Sequence, residues 1–258
     1  MKIATWNVNS LRVRLPQLEA WITAVQPDVL CLQETKVRDD EFPKEALSRL
    51  GYEVVFHGQP SYNGVAIAAR GPLTDVTRGL DGFADDQSRT IAASYQGVHV
   101  ACLYVPNGTA LDSPRYPYKL AWLAALNRQA GDWLARYPQL VLAGDFNIAP
   151  EDADVHDPAA WEGSVLVSDA ERAAFRELLR IGFTDALREK GGLACGFSWW
   201  DYRAAAFRRN QGLRIDHILL SAKLASACAR SYVDRDVRGQ ERPSDHAPVL
   251  VEINDRTD

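Results

Sequence analysis

Short apolar runs bounded by turn residues recur along the whole chain, and this pattern restricts the fold more than any other feature. Ile3–Val8, Asp28–Gln33, Tyr52–His57, Gly64–Ala69, Thr90–Tyr95, Val98–Val105, Gln139–Gly144, Arg214–Ser221 and Ala247–Ile253 each read as a short strand. Gln96-Gly97 separates two of them by a tight hairpin signal. Helical periodicity falls between groups of strands rather than after every strand. One helix is expected around an early Pro16, with Leu18, Trp21, Ile22 and Val25 on one face. A second covers Tyr116–Arg136, with Leu120, Leu123, Ala124, Leu126 and Trp133, and a third covers Asp169–Ile181, with Phe175, Leu178 and Leu179 inward. Many strands, few helices and several hairpins predict an α/β (α+β) chain. The expected form is a four-layer α/β/β/α sandwich of two mixed, mainly antiparallel sheets with helices outside, rather than a doubly wound parallel sheet.

The chain has 258 residues, of which 47% are apolar, enough for a deep core; disordered, collagen-like and disulfide-scaffold classes are excluded. No linker-like tract interrupts it, so residues 1–258 are expected to form one domain, with the acidic stretch Pro150–Gly163 as a functional loop within it. A net charge of −5 speaks against indiscriminate polyanion binding, while leaving room for a local basic face. The cysteines at 31, 102, 195 and 228 form no CxxC pair, and Cys31 and Cys102 sit in apolar runs as buried thiols. The first residues go directly into a strand pattern, and no apolar run approaches a membrane span. A cytoplasmic protein away from membranes is expected.

Polar residues gather where these strands end. Asn7 and Asn9 follow the first strand, and Glu34 follows the second. Asp145 and Asn147 follow Gly144, Asp216 lies within a strand, and Asp245-His246 precedes the last. Strand-end side chains project from a rigid frame into a shared cleft. Asp216, between Ile215 and Ile218, is a buried acid that needs a partner. Carboxylate and amide oxygens without thiolates suit a hard cation, Mg²⁺ or Mn²⁺, rather than zinc. Such a cation typically serves phosphoryl transfer. Phosphodiester hydrolysis needs a barrier lowered by ~20 kcal/mol. One histidine as acid or base supplies only ~10²–10⁴-fold, so charge neutralisation must carry much of the load.

Seven ordered segments resemble the exonuclease III family, the Mg²⁺-dependent apurinic/apyrimidinic (AP) endonucleases of the endonuclease/exonuclease/phosphatase superfamily. They are Trp6–Arg12, Leu32–Lys36, Tyr104–Gly108, Gly144–Pro150, Phe197–Arg203, Gly212–Asp216 and Ser244–Pro248. The Tyr104 and Trp199 segments distinguish this family from the wider superfamily. The resemblance implies that Glu34 is the principal Mg²⁺ ligand, with Asn7 beside it and Asp245 near the metal. It also implies that Asp145 orients or deprotonates the attacking water and that Asn147 binds that water or the phosphate. Asp216 then holds His246, whose imidazolium stabilises the pentacovalent phosphate, and Tyr104 contacts the same phosphate. Either Asp145 or the Asp216–His246 pair is the base; an acid-paired His246 should have a raised pKa, favouring the stabilising role.

Trp199, Leu213 and Ile215 match the family's pocket for a base-free sugar, which selects by shape. The loop His156–Val167 borders that pocket and is expected to tune the balance between AP-site incision and 3′-end degradation. Arg12, Lys36, Arg115, Lys119, Arg203, Arg208, Arg209 and Arg214 are the expected basic rim facing DNA. The expected partner is duplex DNA with an abasic site or a blocked 3′ end, met by a monomer. Two other readings are a non-catalytic nucleic-acid-binding relative and a superfamily phosphatase or phospholipase. The catalytic acids are all present against the first, and Tyr104-Val105-Pro106 stands where the second carries a His-x-Pro motif.

Overall fold

The nine apolar runs fold as strands. The computed structural model describes residues 1–192 and 196–254, so Cys195 lies outside the described residues. One six-stranded sheet contains β1 (Lys2–Asn7), β2 (Val29–Gln33), β3 (Glu53–His57), β4 (Val65–Ala69) and two later strands, β13 (Cys228–Val233) and β14 (Val249–Ile253), in the order β13-β14-β1-β2-β4-β3. The other contains β5 (Thr74–Arg78), β6 (Thr90–Tyr95), β7 (Val98–Tyr104), β8 (Leu140–Asp145), β9 (Phe183–Asp185) and β12 (Asp216–Ser221), in the order β5-β6-β7-β8-β12-β9. Only β1–β2 and β7–β8 pair in parallel; every other pair within these sheets is antiparallel. A two-stranded ribbon, β10 (Trp199–Trp200) with β11 (Gly212–Leu213), pairs Trp199 with Leu213.

Alternation along each strand builds the layers. Ile3, Val29 and Cys31 from one sheet meet Cys102, Val141 and Ala143 from the other in the central core. The intervening Ala4, Trp6, Leu30 and Leu32 face α1 (Leu11–Val25) and α2 (Lys44–Arg49). Leu140 and Leu142 face outward to α3 (Arg115–Arg136) and, beyond the short α4 (Pro158–Trp161), to α5 (Asp169–Ile181). The arrangement is the expected sandwich of two mixed sheets with helices outside.

Local departures have physical causes. Helix α1 begins five residues before Pro16, which sits inside its second turn and removes one donor there. Leu179 is 36% exposed and Ala124 is exposed, because the apolar stripes of α5 and α3 are narrower than their composition implies. The unforeseen strands are an exposed edge (β5), a three-residue strand (β9), the two-residue strands of the ribbon (β10 and β11) and β13, with its exposed arginines. None presents a continuous apolar run. Cys31, Cys102 and Cys228 are free and buried. Among the described residues no helix is long and apolar enough to cross a membrane.

His217, on β12, is fully buried and edge-on to Phe146. Its Nδ1 accepts from Arg214 at 3.0 Å and its Nε2 donates to the Ile148 carbonyl at 2.9 Å, which defines a neutral ring. Burial, then the Arg214 charge, pushes its pKa down to about 4. The unfolded chain takes up this proton from about pH 6.5 downward, so stability falls as pH drops from there toward the folded pKa, by about 2 kcal/mol at pH 5. Urea unfolding at pH 7 and pH 5 is expected to show that loss. His217→Gln, which keeps a donor and an acceptor but does not titrate, is expected to remove His217's share of the dependence, about 2 kcal/mol, from the total; an unchanged pH dependence in the variant would contradict this account.

Candidate active site

Both sheets deliver side chains to one end of the sandwich. Register aligns Asn7 with Gln33 across β1 and β2, Tyr104 with Asp145 across β7 and β8, and Asp216 with Asp145 across β12 and β8. The chain then leaves β1, β2 and β8 through strained turns. Asn9, Glu34, Lys36 and Asn147 all hold positive φ, between 43° and 54°. Left-handed backbone in non-glycine residues is found where the surrounding contacts over-determine it, and such strain gathers at functional sites.

Glu34, Asp145 and His246 offer ligand-type atoms that all lie within 4.8 Å of one another. Asn7 Nδ2 donates to Glu34 Oε1 (2.9 Å) and to Asp145 Oδ2 (3.0 Å), and Tyr104 donates its hydroxyl to Glu34 Oε1 (2.9 Å). Lys36 Nζ lies 2.9 Å from Glu34 Oε2. Burial opposes ionisation of Glu34, yet Lys36 and Asn7 hold its pKa below the usual range. Burial and the nearby Glu34 and Asp145 charges raise the Tyr104 phenol well above its ordinary value, so it remains a donor.

His246 Nδ1 bonds Asp216 Oδ2 at 2.8 Å, and its Nε2 points toward Asp145 Oδ2 at 3.8 Å. Burial works against the imidazolium, but Asp216, Asp145 and Asp245 outweigh it and raise its pKa to about 10. Asp145 is 1% exposed, and burial pushes its pKa up to about 7, with His246 opposing and Asp216 adding. The Ser198 hydroxyl accepts from the backbone of Ile215 and Asp216 and so fixes the acid that holds His246. Asn147 donates its backbone N–H to Asp145 Oδ1 (2.9 Å) and its amide to Val105 O (3.0 Å).

The apolar residues expected as a pocket also come together. Leu213 and Ile215 form a buried floor with Ala149 and Val155, and Trp199 and Trp161 are partly buried against it. The two indoles meet edge to face at 6.5 Å. Trp199 Nε1 donates to Asp245 Oδ2 at 3.0 Å, and its backbone bridges that of His246. The apolar cluster and the charged cluster therefore share a wall.

Two of the expected rim residues need correction. Lys119 and Arg214 do not join a basic rim: they are 0% and 1% exposed, Lys119 paired with Glu171 and Arg214 with Asp154 and Asp185. Asn7 turns its NH₂ to the Glu34 and Asp145 carboxylates, while its Oδ1 accepts from Asn9 N. Asp245 stands beside His246 and accepts from Asn9 Nδ2 and Trp199 Nε1. Lys36 faces inward to Glu34 and Asn9, and Arg12 is paired with Glu41. Arg115, Arg203, Arg208 and Arg209 are exposed, Arg203 beside Asp201. Sequence reasoning gave no role to Asn107, which donates to Asn147 Oδ1, or to Trp161; each lay inside a segment already singled out, and only their contacts distinguish them.

Buried carboxylates with an imidazolium at the shared end of a two-sheet sandwich define a phosphoester hydrolase whose oxygen donors suit a hard cation. Glu34 and Asp145 supply anionic oxygens at one point, with His246 and Lys36 as the nearby cations, so the residues fit a divalent metal. The chain belongs to the Endonuclease/Exonuclease/phosphatase family, whose model matches residues 4–246. Within it the chain is 36% identical to exodeoxyribonuclease III of Haemophilus influenzae, over 98% of this chain and 100% of that one. It is therefore a phosphodiester-hydrolysing DNA repair nuclease of the exodeoxyribonuclease III type.

Solved structures of two further proteins share this architecture over nearly the whole chain. The 3′-5′ exonuclease NExo from Neisseria meningitidis superposes with a TM-score of 0.97 at 49% identity, covering 98% of this chain and 100% of that one. NExo, described as a 3′ phosphatase, has also been solved with a product DNA hairpin. An AP endonuclease from Archaeoglobus fulgidus gives a TM-score of 0.96 at 40% identity, covering 99% and 100%.

Proposed function

We propose that this cytoplasmic, monomeric, single-domain protein cleaves duplex DNA 5′ to abasic sites with Mg²⁺, leaving a 3′-hydroxyl, and also processes nucleotides and blocks at 3′ ends. Mn²⁺ is expected to substitute. The observation that carries this reading is the half-buried Trp199, bonded to Asp245 and seated over Leu213 and Ile215 directly beside His246. An indole-walled apolar cleft admits a flipped, base-free sugar and rejects one that still carries its base.

A bound Mg²⁺, held by Glu34, would supply Lewis-acid neutralisation of the phosphate's charge. The chain's own groups divide the remaining work. Asp145, with a pKa near 7, orients and deprotonates the attacking water, because His246 already holds its proton at neutral pH. The His246 imidazolium, fixed by Asp216, offsets charge on the phosphate, and the Asn147 amide and Tyr104 hydroxyl orient it. Arg115, Arg203, Arg208 and Arg209 meet flanking phosphates, which reconciles DNA binding with an acidic chain.

A reading confined to 3′ ends is favoured by Trp161, whose edge closes on Trp199 and narrows the cleft for an internal sugar. One set of duplexes separates the two. With Mg²⁺, a duplex carrying a single tetrahydrofuran abasic analogue is expected to be nicked on its 5′ side, and EDTA to stop the reaction. Trp199→Ala is expected to slow this incision about tenfold more than removal of a 3′ phosphate. Intact abasic duplex alongside efficient 3′-phosphate removal would establish the 3′-end reading. Equal losses on both substrates would leave Trp199 with a packing role only.

A further inference from the structure

Lys119, expected at the DNA face, is instead fully buried near the start of α3. Its stem passes beneath Gly108, where an added Cβ would come within 3.2 Å of Lys119 Cδ. Its ammonium donates to the backbone carbonyls of Asn147 (2.7 Å) and Asn107 (3.1 Å) and pairs with Glu171, also fully buried. Glu171 is held in turn by the N–H groups of Leu166 and Ser168, both at 3.0 Å. A buried ion pair is a weak source of stability, and well-packed apolar residues of similar volume serve the fold as well or better. The feature that the pair grips is unusual: Asn147 stands in left-handed backbone, φ 49°, immediately after the strand that carries Asp145. From that turn its amide reaches Asp145 Oδ2 at 3.3 Å, and its Oδ1 accepts from Asn107, whose carbonyl the same ammonium holds.

We infer that Lys119 is a positioning residue for phosphodiester hydrolysis. Its ammonium clamps the Asn147 and Asn107 carbonyls, and thereby holds the Asn147 amide against the Asp145 carboxylate. Lys119 touches no reacting atom, and its effect passes through Asn147. The inference rests on the role proposed above for Asn147.

The test uses Lys119→Met with Glu171→Gln, which removes the ammonium without stranding a buried anion, on the full-length protein and the abasic duplex. With thermal unfolding confirming a folded variant, kcat is expected to fall about 10²-fold while KM for DNA stays within about twofold, since displaced reacting groups cost rate rather than binding. Lys119→Gln with Glu171→Gln, whose amide reaches one carbonyl, is expected to be intermediate and is the fallback if the first variant does not fold. Adding Asn147→Ala to either pair is expected to slow turnover no further than Asn147→Ala alone. A folded variant with parental kcat overturns the inference, as does a loss that multiplies with that of Asn147→Ala. Parental activity in Asn147→Ala itself would remove Asn147 from the reaction, and the inference with it.

Discussion

Asp145→Asn is expected to turn over abasic duplex about 10⁴-fold more slowly than the parent. Gel-shift binding of the same duplex in EDTA is expected to stay within a few-fold. The carboxylate is 1% exposed and enclosed by donors: Asn147 N on Oδ1, and the Asn7 and Asn147 amides on Oδ2, with His246 Nε2 at 3.8 Å. An asparagine of the same shape fills the space but accepts no proton, and one of its ends sets NH₂ against those donors. Burial, opposed by His246 and assisted by Asp216, places the carboxyl near pKa 7, suited to take a proton from water at neutral pH. The DNA contacts assigned to the exposed arginines lie on other loops and are untouched, so rate and affinity should separate. Turnover within tenfold of the parent would take Asp145 out of the proton transfer.

His246→Gln is expected to lower kcat about 10³-fold and to make the stability of the protein less dependent on pH on the alkaline side. Removing the cation leaves Asp216, Asp145 and Asp245 buried without the charge they share, and raises Asp145 further by loss of its opposing neighbour. The stability sign follows from linkage. The folded imidazolium persists to about 10, whereas an unfolded histidine releases its proton near 6.5. The stabilisation is therefore complete below about pH 6.5 and lost as pH rises through about 10. Thermal unfolding in EDTA between pH 6 and pH 10 is expected to show this decline in the parent and a shallower one in the variant. Identical slopes would mean that His246 is not charged in the folded protein, and its electrostatic role would fall.

Much of the site was legible because buried charge is restrictive. Asp216 between Ile215 and Ile218 demanded a partner, and His246 meets it at 2.8 Å. Glu34 and Asp145, each at the end of an apolar strand, converge as anticipated. Lys119 and Arg214 were misread, since a lone cation in a sequence is most simply placed in water. Their anions, Glu171 for one and Asp154 and Asp185 for the other, are far apart in the chain and form no local pattern. Edge strand Thr74–Arg78, exposed at every residue, carried no apolar signal either.

The positions of the nine apolar strands, the two-sheet layering and the residue types available for catalysis were determined by the sequence itself, because hydrophobic alternation and buried acids act through neighbouring residues. Which end of each amide faces the carboxylates, which cations lie inside, and how Trp161 meets Trp199 were decided only in the tertiary structure. Those choices depend on partners brought together by sheet register and loop closure, and on directional hydrogen bonds whose donors and acceptors have no fixed separation along the chain.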